Sequence, residues 1–312
     1  MARAVLQTLR FITGHPMTRR HKVKAVGRFA AWQIASRIFP AQYKVRWIDD
    51  TAFLVQSGDT GLTGNLYVGL MESPDMPFVL CRHKARDLFI DVGANLGAYT
   101  LLAAGAVGSP CLSIEPVPST FRRLTENIRV NALEALVTLE NRGCADEAAT
   151  LTFTAGSDTT NHVATAEEQA RLPADALVSV AVDRLDALVE PWRTQQSSGG
   201  DLFLKIDVEG FEWPALNGAD SLLSDPALKT ILVEINGSGA RYGRKDSDLH
   251  ALITSRGFTP IAFDPQSKRV AALADYQRSG GNTLYVRDLR EAQARIDEPR
   301  APFTIHPLGD RY

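Results

Sequence analysis

Asp91, Gly93, Gly97 and Glu115 are the first residues whose types and spacing could do chemistry. They fall in Leu88-Phe-Ile-Asp-Val-Gly-Ala-Asn-Leu-Gly-Ala-Tyr-Thr100 and in Cys111-Leu-Ser-Ile-Glu115. Glycine permits positive φ and leaves no Cβ between a turn and a ligand. The N-terminus of a helix after such a turn offers unpaired N–H groups to an anionic group. Glu115 stands about 20 residues beyond the turn, where a carboxylate can accept from both ribose hydroxyls. A second group follows the apolar stretch Leu202-Phe-Leu-Lys-Ile206. It is Asp207-Val-Glu-Gly-Phe-Glu212, three carboxylates and a glycine at the end of a strand. Asp207 and Glu209 could bind a cofactor, abstract a proton or hold a divalent cation. Alternatively these acids cap a helix, whose first turn favours negative charge, and Pro214 suits that position. His162 is a third candidate base, since histidine titrates near neutral pH; a lone loop histidine can also be merely solvated.

The turn itself narrows the ligand. Aligned on the dinucleotide pattern G-x-G-x-x-G, its positions are Gly93, Asn95 and Ala98. The second glycine normally lets backbone approach a pyrophosphate. Asn95 puts a side chain there, which disfavours a nicotinamide dinucleotide. S-adenosylmethionine (SAM) has no phosphate, only a methionine carboxylate and amine. Asp91 could attract the amine, and the turn N–H groups could hold the carboxylate. Gly143-Cys-Ala-Asp146 reads either as a plain polar turn or as an adenine edge, with Asp146 accepting from the amino group.

These residues need a scaffold. Residues 88–90 read as a strand and 99–106 as a helix; strand, glycine turn, helix opens a doubly wound α/β sheet, whose ligands sit at the carboxyl ends of its strands. A helix at 121–131, strands at 136–140 and 150–154, a helix at 185–192, and strands at 202–206 and 230–235 continue the pattern. A helix at 248–256 follows, and 258–263 with 283–286 close the sheet as a pair. Residues 155–177 are an excursion with a short helix at 164–171, a candidate lid containing His162. The chain returns through 178–182, which could pair with 150–154. Lys205 points opposite to its strand neighbours and suits pairing with a carboxylate.

Ahead of this core, residues 43–85 read as a small β-rich cap punctuated by Gly58, Gly61 and Gly64. Tyr67 could reach the pocket or sit in the core. From 17 to 39, Val23, Val26, Phe29, Ala30, Ile34 and Ile38 recur at helical spacing among six cations. Two readings are open: a basic helix lying on anionic lipid, or a helix packed on the body with its charges solvated.

The chain has 312 residues and a net charge of −2, which favours no partner. The distribution is uneven. Residues 1–48 hold ten Lys and Arg and no Asp or Glu, and the remaining 24 cations and 36 acids make −12. Such asymmetry suggests a basic arm meeting an anionic surface. Cys81, Cys111 and Cys144 lack metal or disulfide spacing and fit a reducing compartment. No run approaches the ~20 apolar residues of a membrane span. The first twelve residues lack a clear signal-peptide core and cleavage site.

Taken together, several stretches resemble the FkbM-type methyltransferases. They are Phe89-Ile-Asp-Val-Gly-Ala-Asn-Leu-Gly97, Ile114-Glu-Pro-Val-Pro-Ser-Thr-Phe121, Asn127-Ile-Arg-Val-Asn131, Val182-Asp-Arg-Leu-Asp186, Leu204-Lys-Ile-Asp-Val-Glu-Gly-Phe-Glu212 and Val233-Glu-Ile-Asn236. The family's serine-rich segment corresponds to Ser157-Asp-Thr-Thr-Asn161, a looser match. The resemblance implies a class I SAM-dependent methyltransferase fold, a Rossmann-like seven-stranded sheet whose last strand is antiparallel. It implies methylation of hydroxyl oxygens on sugars, glycolipids or polyketide-type products. By position, Asp91, Gly93, Asn95, Gly97, Glu115 and Asp207 would line the SAM pocket. Ala94, Thr100, Pro116 and Ala145 adjoin them in the same turns. The expected organisation is a basic helical arm at 1–42, the cap at 43–85, the methyltransferase domain at 86–290 and a tail at 291–312. Asp207, Glu209 and His162 are the expected catalytic candidates. The expected acceptor is a small molecule or glycan rather than nucleic acid, in the cytoplasm, with residues 1–40 available for peripheral contact with an anionic membrane. A divalent metal stays open. Competing readings are an N- or carboxyl-methyltransferase on the same fold and a non-catalytic SAM-binding scaffold.

Overall fold

A computed structural model describes residues 2–156, 160–196, 199–278 and 281–312. Its centre is an eight-stranded sheet in the order Arg269–Ala272, Thr259–Asp264, Asn282–Val286, Leu228–Glu234, Leu202–Ile206, Leu88–Val92, Cys111–Ile114, Val137–Glu140. The last five in that order run parallel. Leu88–Val92 and Leu202–Ile206 are buried along their whole length, as strands covered on both faces must be, and this explains why they are apolar but for the facing Asp91 and Lys205.

From Leu88–Val92 the chain builds outward to Val137–Glu140. It then crosses back to lay Leu202–Ile206 on the other side of Leu88–Val92. That reversal is the topological switch point of an open α/β sheet, where ligands bind. Register matters here. Asp91 lies opposite Lys205 and Val92 opposite Ile206, so the two strands release Gly93 and Asp207 side by side.

The expected seven strands are present, with Asn282–Val286 antiparallel to its neighbours. The 259–264 and 282–286 strands pair as expected. An eighth, Arg269–Ala272, adds to the outer edge; it is short and largely exposed, so no apolar pattern marked it. A separate three-stranded sheet joins Gly143–Ala145, Leu177–Arg184 and Ala149–Thr154. Thr150 faces Ala181 there, as the alternation suggested. Residues 143–145, expected as a turn, are instead a strand paired in parallel with 182–184.

The β character of 43–85 resides in Tyr43–Ile48 and Thr51–Val55. The helices Thr60–Val68 and Asp75–Arg82 follow. Glycine explains why the first helix was hard to see. A Cβ on Gly64 would lie 1.9 Å from Met71 Sδ, so this glycine serves close packing rather than a turn. The helix Leu289–Asp297 crosses the expected tail boundary. Beyond it, Thr304–Ile305 and Asp310–Arg311 add to the 43–55 hairpin.

The arm forms the helices Ala2–Gly14 and Lys22–Ile38. Ala25, Phe29, Trp32 and Ser36 turn inward. Phe29 meets Tyr67 edge-on at 5.4 Å and Trp32 meets Tyr43 at 5.5 Å, so Tyr67 is a core residue. Burying an aromatic of this size contributes about 1.5–3 kcal/mol. Deleting the arm would therefore open the core as well as remove charge. Among the described residues no helix is long and apolar enough to cross a membrane.

Candidate active site

The turn after Leu88–Val92 is left-handed at three positions: Gly93 at φ 74°, Asn95 at φ 52° and Gly97 at φ 94°. Two need glycine for space as well. A Cβ on Gly93 would sit 1.9 Å from the Asp207 carbonyl oxygen, and one on Gly97 would meet Leu124 at 2.7 Å. Asparagine tolerates the left-handed region better than most residues. The turn is tied to the neighbouring strand: the N–H groups of Gly93 and Ala94 both donate to the Ile114 carbonyl at 3.0 Å.

Glu115 closes the far wall. Its two carboxylate oxygens accept from Asn95 N–H and Val117 N–H, each at 3.0 Å. Burial pushes its carboxyl up to about 7, against those two donors, which favour the ionised form. Glu115 and the turn border a cleft open to solvent. Pro116, Cys144, Phe153 and Phe211 give it apolar walls.

The second acidic cluster divides its labour. Glu212 Oε1 accepts from Val208 N–H at 3.0 Å and Gly210 N–H at 3.1 Å. Glu212 thus takes the turn-capping role. Asp207 and Glu209 both line the first cavity and also a second one beyond it, bordered by Glu72, Tyr99, Lys205 and Glu234. Glu209 sits at φ 55°, a strained conformation for a side-chain-bearing residue, costing about 1–2 kcal/mol. Arg241 donates to its carbonyl oxygen at 2.8 Å.

Carboxylate oxygens of Asp207, Glu209 and Glu234 all lie within 4.8 Å of one another. Burial and the Asp207 charge push Glu209 up. Burial, then Asp207, Glu209 and Glu212, push Glu234 up to about 8. Further along, Tyr99 Oη donates to Glu72 at 2.7 Å, and Asn282 donates to Glu72 and Asp75 at 3.1 Å each. Glu72 is raised by burial and Asp207, and Asp75 is raised to about 7 by burial and Glu72.

A buried ammonium anchors this acidic region. Lys205 Nζ donates to the Gly93 carbonyl at 2.7 Å and faces Asp91 at 3.4 Å and Asp207 at 3.5 Å. Burial lowers its pKa, but Asp207, Asp91 and Glu72 outweigh that and raise it, so the amine stays charged.

Residues 91–260, more than half of the chain, match the family description "Methyltransferase FkbM domain". The chain belongs to the FkbM methyltransferase family. Membership carries S-adenosylmethionine as the implied cofactor. No curated protein sequence matches the chain. Similar solved structures include an rRNA methylase from Streptococcus thermophilus, at 12% identity over 68% of this chain and 91% of that one, TM-score 0.37. They also include a precorrin-6y C5,15-methyltransferase from Geobacter metallireducens, at 12% identity, 68% and 85% coverage, TM-score 0.34. Likenesses this distant carry no argument about the acceptor.

In this FkbM-family protein the expected cofactor residues separate into two sets. Gly93, Ala94, Asn95, Glu115, Pro116 and Asp207 line the two cavities. Asp91, Gly97, Thr100, Ala145 and Asp146 lie outside those linings. Asp91 is fully buried beneath the turn, where Thr100 Oγ1 donates to it at 2.7 Å. Its other carboxylate oxygen faces Lys205 Nζ at 3.4 Å. Along 143–146 the lining residues are Gly143 and Cys144, beside Arg142, because the strand directs Ala145 into the body and leaves Asp146 exposed.

His162 has partners on both ring nitrogens. Its Nε2 pairs with Glu168 at 3.0 Å and its Nδ1 with the Thr160 carbonyl at 2.9 Å. Glu168 also closes the capping box of Ala166–Arg171 with Thr165. Asn161, not His162, borders the first cavity. Of the looser serine-rich match, Ser157, Asp158 and Thr159 lie outside the described residues.

The buried Asn95 Oδ1 at the cavity has no hydrogen-bond partner, and an amine or hydroxyl donor would satisfy it. With Glu115 poised for a diol, the lining fits SAM. We expect Glu115→Ala to weaken SAM binding by about 10- to 100-fold, for loss of a charge-assisted hydrogen bond worth about 1.5–3 kcal/mol. Isothermal calorimetry on the folded variant checks this; unchanged affinity would remove Glu115 from the ribose site.

Proposed function

We propose that this protein is an O-methyltransferase acting on a hydroxyl of a neutral, polyhydroxylated acceptor, such as a sugar, glycolipid or polyketide-type product. The observation that carries the reading is the meeting of Asp207, Glu209 and Glu234, of which the first two line both cavities and Glu234 the second. Gly93, Asn95, Glu115 and Asp207 would hold SAM, which when bound supplies an electrophilic methyl group on a sulfonium. The protein's own task is then alignment and proton removal. The second cavity positions the acceptor oxygen. A carboxylate near it takes the hydroxyl proton, and a pKa raised toward neutral improves such a base.

Charge supports a neutral acceptor. Glu72, Asp75, Asp207, Glu209 and Glu234 face this region with Lys205 among them. A carboxylate or phosphate would meet repulsion there. An amine would be held as ammonium, which has no lone pair to give. The same three acids are hard oxygen donors of a kind that Mg²⁺ or Ca²⁺ takes, and a cation there would favour ionisation of the hydroxyl in another way. The test is methyl transfer from SAM to a panel of neutral glycosides and polyols, with and without chelator. Mass spectrometry should find S-adenosylhomocysteine together with a methyl ether. Methyl groups on amines or carboxylates instead would overturn the reading. SAM binding without transfer to any acceptor would favour a scaffold.

A further inference from the structure

The long arm helix has two apolar faces. At 100° per residue, Ala25, Phe29, Trp32 and Ser36 share one side, and all four are buried. On the opposite side Val23, Ile34 and Ile38 fall within an arc of about 60°. They are 88%, 60% and 61% exposed, and Phe39, just past the helix end, is 68% exposed. Gly27, Ala30 and Ala31 fill the gaps and are exposed too. A helix resting on a soluble body normally presents polar residues there.

The concentration of such residues is as telling as the stripe. The other exposed large hydrophobic side chains among the described residues are Val5, Leu6 and Phe11. All therefore lie within the first 39 positions. These positions fall in the 48-residue stretch that carries ten cations and no acid. Arg19, Arg20, Lys22 and Arg37 are exposed beside the stripe.

We propose that Lys22–Ile38 docks on an anionic lipid surface, with Val23, Ile34 and Ile38 immersed at the headgroup boundary and the flanking cations on lipid phosphates. Apolar burial and electrostatic attraction are the two contributions that hold an interfacial helix. A second copy of the chain is the poorer occupant. A two-fold contact across this face would oppose cations to cations, with no acid in 1–48 to relieve them. Docking leaves the inward face, with Phe29 and Trp32, undisturbed.

The experiment is flotation of the full-length protein with phosphatidylcholine vesicles, plain or with about 30% phosphatidylglycerol. Salt is set at about 0.05 M or about 0.5 M. Binding is expected only to the anionic vesicles, and to fall sharply at high salt. Ile34→Ser with Ile38→Ser should lower the partition coefficient about 10-fold or more, with an unchanged melting temperature because neither residue is packed. Arg19→Gln, Arg20→Gln and Lys22→Gln together should lower it about 100-fold. The proposal falls if the wild type ignores anionic vesicles at low salt, or if the serine variant binds as well as wild type. It falls equally if light scattering shows a wild-type dimer that the serine pair converts to monomer.

Discussion

Lys205→Met should destabilise the protein by about 3–5 kcal/mol, the loss seen when one partner of a buried ion pair is removed. Methionine retains most of the packing volume, so the loss isolates the charge. Asp91 is fully buried, and without the ammonium it keeps only Thr100 as a donor among the contacts described. The Gly93 carbonyl also loses its 2.7 Å donor, and the turn that shapes the first cavity loses its tether. Urea denaturation measures the change. Adding Asp91→Asn should recover much of it, because the uncompensated charge is then gone. If Lys205→Met alone unfolds at the wild-type urea concentration, the ammonium is not the anchor of this region.

Glu209→Gln should reduce turnover by about 10²- to 10⁴-fold, the usual contribution of a positioned base, while SAM affinity stays nearly constant. The amide keeps size and hydrogen bonding and removes basicity. Asp207→Asn should act differently. Asp207 borders both cavities and lies 3.5 Å from Lys205, so it should lose cofactor affinity as well as rate. The assay uses whichever hydroxyl acceptor the panel identifies, with single turnovers to separate binding from chemistry. Normal turnover by Glu209→Gln would move the base to Glu234, the third acid of this cluster. His162 is a poorer fallback, since Glu168 and Thr160 hold both of its ring nitrogens.

The central sheet, its outer strand Arg269–Ala272 apart, was legible because its strands are marked by physics that sequence records. Leu88–Val92 and Leu202–Ile206 are apolar but for Asp91 and Lys205, and each runs into an acid–glycine cluster with little freedom to be anything else. Lys205 stood out against this background: a charge in an otherwise apolar strand must be paired or functional. Glu72, Asp75 and Asn282 carried no such mark. They come from elements far apart in the chain, and only the strand order brings them to one cavity. Asp146 was misplaced by a short distance, because a three-residue strand replaced the turn and register decides which side chains face in. The arm was ambiguous for a geometric reason. Its apolar residues span more than half of the helix circumference, and periodicity cannot say which arc finds the body.

The two ends of the chain are clasped together. Ile48 pairs with Ile305, Lys24 donates to the Leu308 carbonyl at 2.6 Å, and His21 meets Asp310 at 2.8 Å. On a ribosome the first half of that clasp emerges long before the second. At roughly 5–20 residues per second, the intervening 250 or so residues take about 10–50 s to appear. During that interval the 43–55 hairpin has an open edge, and Lys22–Ile38 lacks its contacts with His306 and Leu308. The doubly wound sheet can form meanwhile from its own consecutive elements, whereas the clasp requires residues 305–310, which are synthesised later. The arm is therefore locked later than the sheet, and nascent chains stalled before residue 304 should expose it to proteases that spare the sheet.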